Sequence, residues 1–170
     1  MMQIRLFDQT DSEDLFEYLN RVSIQTNNLG LEQQELQSSF NPEKLKHLND
    51  KLQTSIAFIA QDDRTTKIIG LAQITRKLRI RYMNQAEFAI SVDKKYWSQH
   101  IGSKLIEACV AWATEKWNIE GIYLEVLSDN QRAINLYKKY GFTIVGDLPI
   151  LLTIDGQNKP GKLMFKHLKK

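Results

Sequence analysis

The chain has 170 residues, 42% of them hydrophobic and 25% charged, with a formal net charge of +3. That length suits one domain with a real core (residues 1–170), and a composition this close to globular averages excludes disordered and fibrous classes. No apolar run approaches the ~20 residues needed to span a bilayer, and Met1-Met2-Gln3-Ile4-Arg5 lacks the apolar core and cleavage site of a signal peptide. Cys109 is the single cysteine, so no internal disulfide can form, and a cytoplasmic protein with no membrane partner is expected. The mild charge, without a basic helix or a basic run interleaved with aromatics, gives no footprint for nucleic acid.

Met2 to Phe7 reads as a first strand, closed by the turn Asp8 to Asp11. Asp11 or Ser12 caps a helix with Glu13 and Asp14 in its first turn, and Leu15, Phe16, Leu19 and Val22 form its apolar stripe. Asn27 to Gly30 breaks that helix. Asn41-Pro42 starts a second, with Leu45, Leu48 and Leu52 at helical spacing. Ser55 to Gln61 and Lys67 to Leu78 flank the polar turn Asp62 to Thr66 and predict a hairpin. Ala86 to Val92 is a further strand. Ile101 to Lys116 is a helix with Leu105, Ala108, Cys109 and Trp112 on one face. Gly121 to Leu127 is a strand, and Asn130 to Tyr140 a helix stopped by Gly141. Phe142 to Val145 starts another strand, and Leu148 to Ile154 with Lys162 to Leu168 read as a terminal hairpin around Asp155-Gly156. Hairpins at the front and βα alternation at the back imply an α/β fold with a mixed sheet and helices on both faces.

One connection invites an anion. Val92 ends a strand, Asp93 to His100 is a loop, and Ile101-Gly102-Ser103-Lys104 opens a helix. A helix N-terminus presents unpaired N–H groups and partial positive charge, which favour phosphate. Gly102 lets backbone approach a ligand, and Lys104 is a cation placed against the helix dipole, for which a bound anion is a motive. On its own this segment reads equally well as a βα connection that contains a glycine.

A second segment narrows the reading. Asn130, Ala133, Tyr137 and Gly141-Phe142 stand in the pattern N-x-x-A-x-x-x-Y-x-x-x-G-F, which resembles the signature of the GNAT N-acetyltransferase superfamily. Val92 to Leu105, in the pattern V-x-x-x-Y-x-x-x-x-I-G-S-x-L, extends the resemblance over about the last half of the chain. The resemblance implies a mixed, mostly antiparallel sheet of about seven strands, splayed between the fourth and fifth and flanked by about four helices. It implies acetyl-CoA as co-substrate, with no metal. The loop Trp97, Ser98, Gln99, His100, Ile101 and Gly102, with the N–H groups of Ser103 and Lys104, would hold the pyrophosphate. Backbone at Ile90 and Val92 would pair with the pantetheine arm as an added strand, and Asn130 would meet the same arm.

The implied activity is transfer of an acetyl group to a primary amine by direct attack. Tyr137 is the candidate acid at the sulfur, the Val92 N–H the oxyanion donor and Glu87 the candidate base. Glu87 also reads as a plain surface strand residue, and Tyr137 as core. The family loop usually carries glycine where His100 stands. A Cβ there restricts positive φ, so His100 either keeps an ordinary dihedral with its ring outward or adds a donor to the phosphate. Trp97 replaces a polar residue and is expected to pack against the helix. Cys109 reads as buried and inert, Trp112 and Trp117 as packing residues, and His47 and His167 have no partners spaced for a metal.

The acceptor, a small molecule or peptide amine, is expected over the splayed strands, between residues 12–53 and the last hairpin. Glu32, Glu35 and Glu43 are candidates to attract a cationic amine, though acidic residues on helices are usually solvated surface. A rival reading, favoured by His100, is a non-catalytic acyl-CoA-binding module. A third is an interaction protein whose terminal hairpin pairs between protomers of a homodimer.

Overall fold

In the computed structural model, residues 2–30, 34–36, 40–50 and 54–168 are described. Seven strands form one sheet in the order β1-β2-β3-β4-β5-β7-β6. They are β1 (Met2–Leu6), β2 (Ser55–Asp62), β3 (Ile68–Arg76), β4 (Gln85–Val92), β5 (Gly121–Leu127), β6 (Thr143–Ile154) and β7 (Gln157–His167). Every neighbouring pair is antiparallel except β4 and β5, which run parallel. Among the described residues, the α-helices that flank the sheet include α1 (Ser12–Ser23), α2 (Pro42–Leu45), α3 (Ile101–Trp117) and α4 (Gln131–Lys139). The mixed sheet flanked by helices agrees with the expected fold.

Strand alternation assigns the two faces. Ile56, Ala60, Ala72 and Ile74 share a core cluster with Leu105 and Cys109 of α3 and with Ile134 and Tyr137 of α4. Ala57 and Ile59, one residue out of phase, share another with Leu15, Tyr18 and Val22 of α1. Period two in β2 therefore divides the helices between the faces.

Two elements differ from expectation. The stripe Leu45, Leu48, Leu52 predicts a longer helix than the four residues of α2. Beyond Leu45 the chain continues in i to i−3 bonds, from His47 N–H to the Lys44 carbonyl and from Leu48 N–H to Leu45. Asn49 explains the change: its amide donates to the Phe7 carbonyl at 2.8 Å and accepts the Ala57 N–H at 2.7 Å, tying this segment to the residue after β1 and to β2. Leu52 lies outside the described residues. Further on, the strand that starts at Thr143 does not stop at Val145 but runs to Ile154, with register shifts between Ile144 and Gly146 and between Leu148 and Leu152. Pro149 falls in the second shift, and β6 is an edge strand, where a missing N–H is tolerated. The expected turn closes the hairpin, with Asp155 at φ 49° and Gly156 at φ 73°. Gly141 follows α4 at φ 82°, the left-handed position expected of it.

At the C-terminal end of β4 a buried carboxylate holds α1 against the sheet. Asp93, 1% exposed, accepts from Arg21 Nε at 2.7 Å, from Gln25 Nε2 at 3.1 Å and from the Lys95 N–H at 3.0 Å. Arg21 also donates to the Ile68 carbonyl at 2.7 Å, and Tyr18 Oη lies 2.9 Å from Ser91 Oγ. Burial pushes the Asp93 carboxyl up, but the bonds from Arg21, Lys95 and Gln25 outweigh it and hold the group below its ordinary value. A carboxyl lowered on folding contributes stability that is present above the unfolded value of about 3.9 and is lost as pH falls through the folded value. Asp93→Asn is therefore expected to cost about 2 kcal/mol at pH 7 by urea denaturation. The gap to the parent should narrow below about pH 4. A variant as stable as the parent at pH 7 would refute this role.

Candidate functional site

Strands β4 and β5 pair at three positions only: Gln85 with Gly121, Ala86 with Ile122 and Glu87 with Tyr123. Beyond these, residues 88–92 pair with β3 alone and residues 124–127 with β7 alone. The strands part, and the gap opens into a cleft of about 770 Å³. The Asp93 N–H bonds to the Ile69 carbonyl at 3.0 Å on the β3 side. By alternation, the main-chain groups of Ser91 and Ala89 also face β3, whereas those of Phe88, Ile90 and Val92 face the gap. The Val92 carbonyl takes the Trp97 indole N–H at 2.9 Å, and its N–H is left facing the cleft. Of the residues singled out in the sequence, Glu87, Ile90, Val92, Trp97, Ser98, His100, Ile101, Gly102, Ser103, Asn130 and Tyr137 line this one cleft. Gln99 and Lys104 lie outside its lining.

The loop after β4 reaches α3 through two left-handed residues, Ser98 at φ 64° and His100 at φ 61°. His100 thus keeps the backbone a glycine would have, rather than the ordinary dihedral its Cβ favours, at a steric cost of about 1–2 kcal/mol, and its side chain is exposed. It supplies no side-chain cap to α3. The helical pattern starts with the Lys104 N–H on the His100 carbonyl at 3.1 Å. The N–H groups of Ile101, Gly102 and Ser103 therefore have no intrahelical acceptor, while that of Lys104 is already engaged. Gly102 has a packing reason as well, since a Cβ there would lie 2.9 Å from Leu136 Cδ2 of α4.

Helix α4 forms the opposite wall. Asn130 caps it, with Oδ1 accepting the Ala133 N–H at 3.2 Å, so the amide N–H groups are what it can offer the cleft. Tyr137 is 6% exposed and packed edge-on against Phe88 and Phe142, at centroid distances of 6.5 and 5.8 Å. Its hydroxyl bonds to none of the described residues. Burial pushes the phenol well above its ordinary value, so it holds its proton throughout the neutral range. Cys109 is fully buried and its thiol is likewise pushed up, as an inert core residue should be.

On the other face of the sheet, Tyr123 lies between two carboxylates. It donates to Glu87 Oε2 at 3.5 Å, and burial followed by Glu87 and Glu125 raises its hydroxyl. Both glutamates line the cleft, as do Thr26, Asn28, Leu29 and Gly30 after α1 and Leu151 and Leu152 of β6. The cleft therefore passes through the sheet, from the N-terminus of α3 to the face that carries α1. Among the described residues, no group of three His, Cys, Asp or Glu side chains could hold a metal ion, and no helix is long and apolar enough to cross a membrane.

Sequence reasoning passed over Glu125 and Arg132, which also line the cleft. Two signals were available. Glu125 shares a strand face with Tyr123 by period two, and Arg132 is a cation in the first turn of a helix, the argument used for Lys104.

Comparison with known proteins agrees with this geometry. The family model for the acetyltransferase (GNAT) family matches residues 25–142. A spermidine N(1)-acetyltransferase of Escherichia coli K12 is 26% identical over 125 residues, 72% of this chain and 63% of the relative. The chain thus spans less than two thirds of that relative's length. The crystal structure of an acetyltransferase of the GNAT family from Streptococcus pneumoniae superposes with a TM-score of 0.91 at 28% identity, covering 99% of this chain and 100% of the other. A spermidine N-acetyltransferase from Vibrio cholerae, solved with CoA and spermine, shares the fold with a TM-score of 0.80 at 23% identity over 98% and 95% of the two chains. With the family model covering more than half its length and the strands parted around a buried tyrosine, the chain belongs to the GNAT acetyltransferase family.

Proposed function

We propose that this protein, as a single acyltransferase domain, transfers an acetyl group from acetyl-CoA to a primary amine by direct attack. The observation that carries the reading is the parting of β4 and β5 after three rungs, which opens a cleft with the Tyr137 ring in its wall. The residues present fit the coenzyme. Ile90 and Val92 offer strand-edge groups to the amides of the pantetheine arm, Asn130 offers its amide N–H groups, and the first N–H groups of α3 suit phosphate. When bound, the coenzyme supplies an activated acyl thioester. The chain's own residues then hold and move protons around it. The Val92 N–H polarises the carbonyl oxygen, and Tyr137 gives its proton to the departing sulfur. Glu87 takes the proton of the amine, directly or through water.

On the acceptor side, Glu87 and Glu125 line the cleft and suit a cationic amine. Glu43, by contrast, pairs with Lys46 on the surface, and Glu32 lies outside the described residues. The relatives named for spermidine put polyamines first on an acceptor panel. The non-catalytic alternative drew on His100, and the φ of 61° there, which keeps the turn a glycine would make, leaves it without support. We take the protein as cytoplasmic, without nucleic-acid or membrane partners. We also take it as a homodimer through the terminal hairpin, where Ile144, Val145 and Ile150 are exposed, for which light scattering is the check.

Release of free thiol from acetyl-CoA across an amine panel tests the activity. Tyr137→Phe should lower kcat about 100-fold with little change in the KM for acetyl-CoA. Turnover unaffected by that change would overturn the acid role, and no turnover with any amine would overturn the activity. Glu87→Gln should likewise lower kcat, by about 10- to 100-fold, whereas Glu125→Gln should act mainly on the KM of the amine. Equal effects on kcat from the two would remove the base assignment from Glu87.

A further inference from the structure

Trp97 stands at the phosphate end of the cleft and is the centre of a charged cluster that the proposed reaction leaves unused. The Arg132 guanidinium lies over its ring at 4.3 Å from the centroid, and Lys94 Nζ lies 5.9 Å from the same centroid. Its indole N–H is fixed by the Val92 carbonyl, so the ring is a platform anchored to the end of β4. Two cations lie against one indole, and neither pairs with a carboxylate among the described residues. Arg132 is also badly placed by its own helix. It is the second residue of α4, whose first turn carries no acidic residue, so its charge opposes the dipole. A cation–π contact, about 0.5–1 kcal/mol at an exposed site, is of the same size as that cost.

Contact through the ring face leaves most of the guanidinium N–H donors unspent. One of them reaches Ser98 Oγ at 3.5 Å, the limit of a hydrogen bond. Ser98 belongs to the same loop whose end exposes the N–H groups of Ile101, Gly102 and Ser103. Arg132, Trp97, Ser98 and those three residues all line the cleft. An anion that accepted the helix N–H groups would therefore enter the field of an exposed guanidinium already held against the indole.

Resting on the coenzyme reading above, we infer that Arg132, held over Trp97, is a coenzyme-binding residue that pairs with the coenzyme's phosphates and joins the two walls of the cleft. The Trp97 ring orients the guanidinium, and Lys94 adds a second positive charge beside the same ring. Calorimetric titration with CoA, which needs no catalysis, tests this. Arg132→Ala should weaken CoA binding about tenfold at 50 mM salt, and the deficit should shrink at 500 mM salt because it is electrostatic. Arg132→Lys should recover part of the loss at low salt, keeping the charge but not the planar fork. Unchanged affinity in Arg132→Ala, a deficit independent of salt, or no recovery with lysine would overturn the inference while leaving the coenzyme reading intact. Failure of the parent protein to bind CoA would overturn the coenzyme reading and this inference together.

Discussion

The structure turns on hydrogen bonds that β4 and β5 do not make. Two adjacent parallel strands would ordinarily pair along their length, since a buried unpaired main-chain group costs about 1–3 kcal/mol. Here they pair at three positions and then part, and the parting is stable because each strand has a full partner on its other side. The groups released by the parting line an open cleft, within reach of solvent or of a ligand. The sheet supplies both a scaffold and an unfinished ladder, and an extended chain of amides is the ligand chemistry that completes it.

Two anchors keep the strands from closing again. On one side, Asp93 ties the end of β4 to α1 through Arg21 and Gln25, and Tyr18 reaches Ser91 on the same strand. On the other, the Tyr137 ring sits between Phe88 of β4 and Phe142 beyond α4, a wedge of aromatic edges in the wall of the cleft. Burial of that ring raises the phenol, so the packing that holds the cleft open also keeps its proton in place at neutral pH. Structure and proposed chemistry meet in one side chain, which is why the core and catalytic readings of Tyr137 are compatible. The α1 anchor has a similar double effect. It places the segment from Thr26 to Gly30 in the lining of the cleft, so the helix that steadies β4 also helps to shape the proposed amine site.

Much of this is legible in the sequence because the relevant signals are local. The hairpin strand that starts at Ser55, the glycine after α4 and the Asp155-Gly156 turn each depend on a few neighbouring residues, and each appears where expected. The pattern from Asn130 to Phe142 places a cap and a buried tyrosine two turns apart on one short helix. What the sequence does not reveal depends on register between distant segments. Nothing local says that Glu87 stands beside Tyr123, that Glu125 therefore shares its groove, or that Asp93 is buried against an arginine 72 residues earlier. The length of α2 fails for the same reason. Leucine spacing predicts a longer helix, but Asn49 bonds to Phe7 just after β1 and to Ala57 of β2, and tertiary hydrogen bonds override propensity. The joining of residues 143–154 into one strand is hidden by Pro149, a breaker signal that an edge strand absorbs.

The loop between β4 and α3 shows how two departures from a pattern can compensate. His100 occupies a left-handed position at a steric cost, and the turn is nevertheless made, because the anchored Asp93 at its start and α3 at its end leave the chain little choice of path. Trp97 removes a polar side chain from the loop, yet its ring gathers Lys94 and Arg132, so the charge lost from one position returns from a neighbouring lysine and from α4. A polar loop residue would act on a ligand by itself, whereas the tryptophan acts by holding others. The positive field at this end of the cleft is then a property of three elements together: the loop, the N-terminus of α3 and the first turn of α4. That arrangement couples the two walls of the cleft across the gap, which a loop residue acting alone could not do.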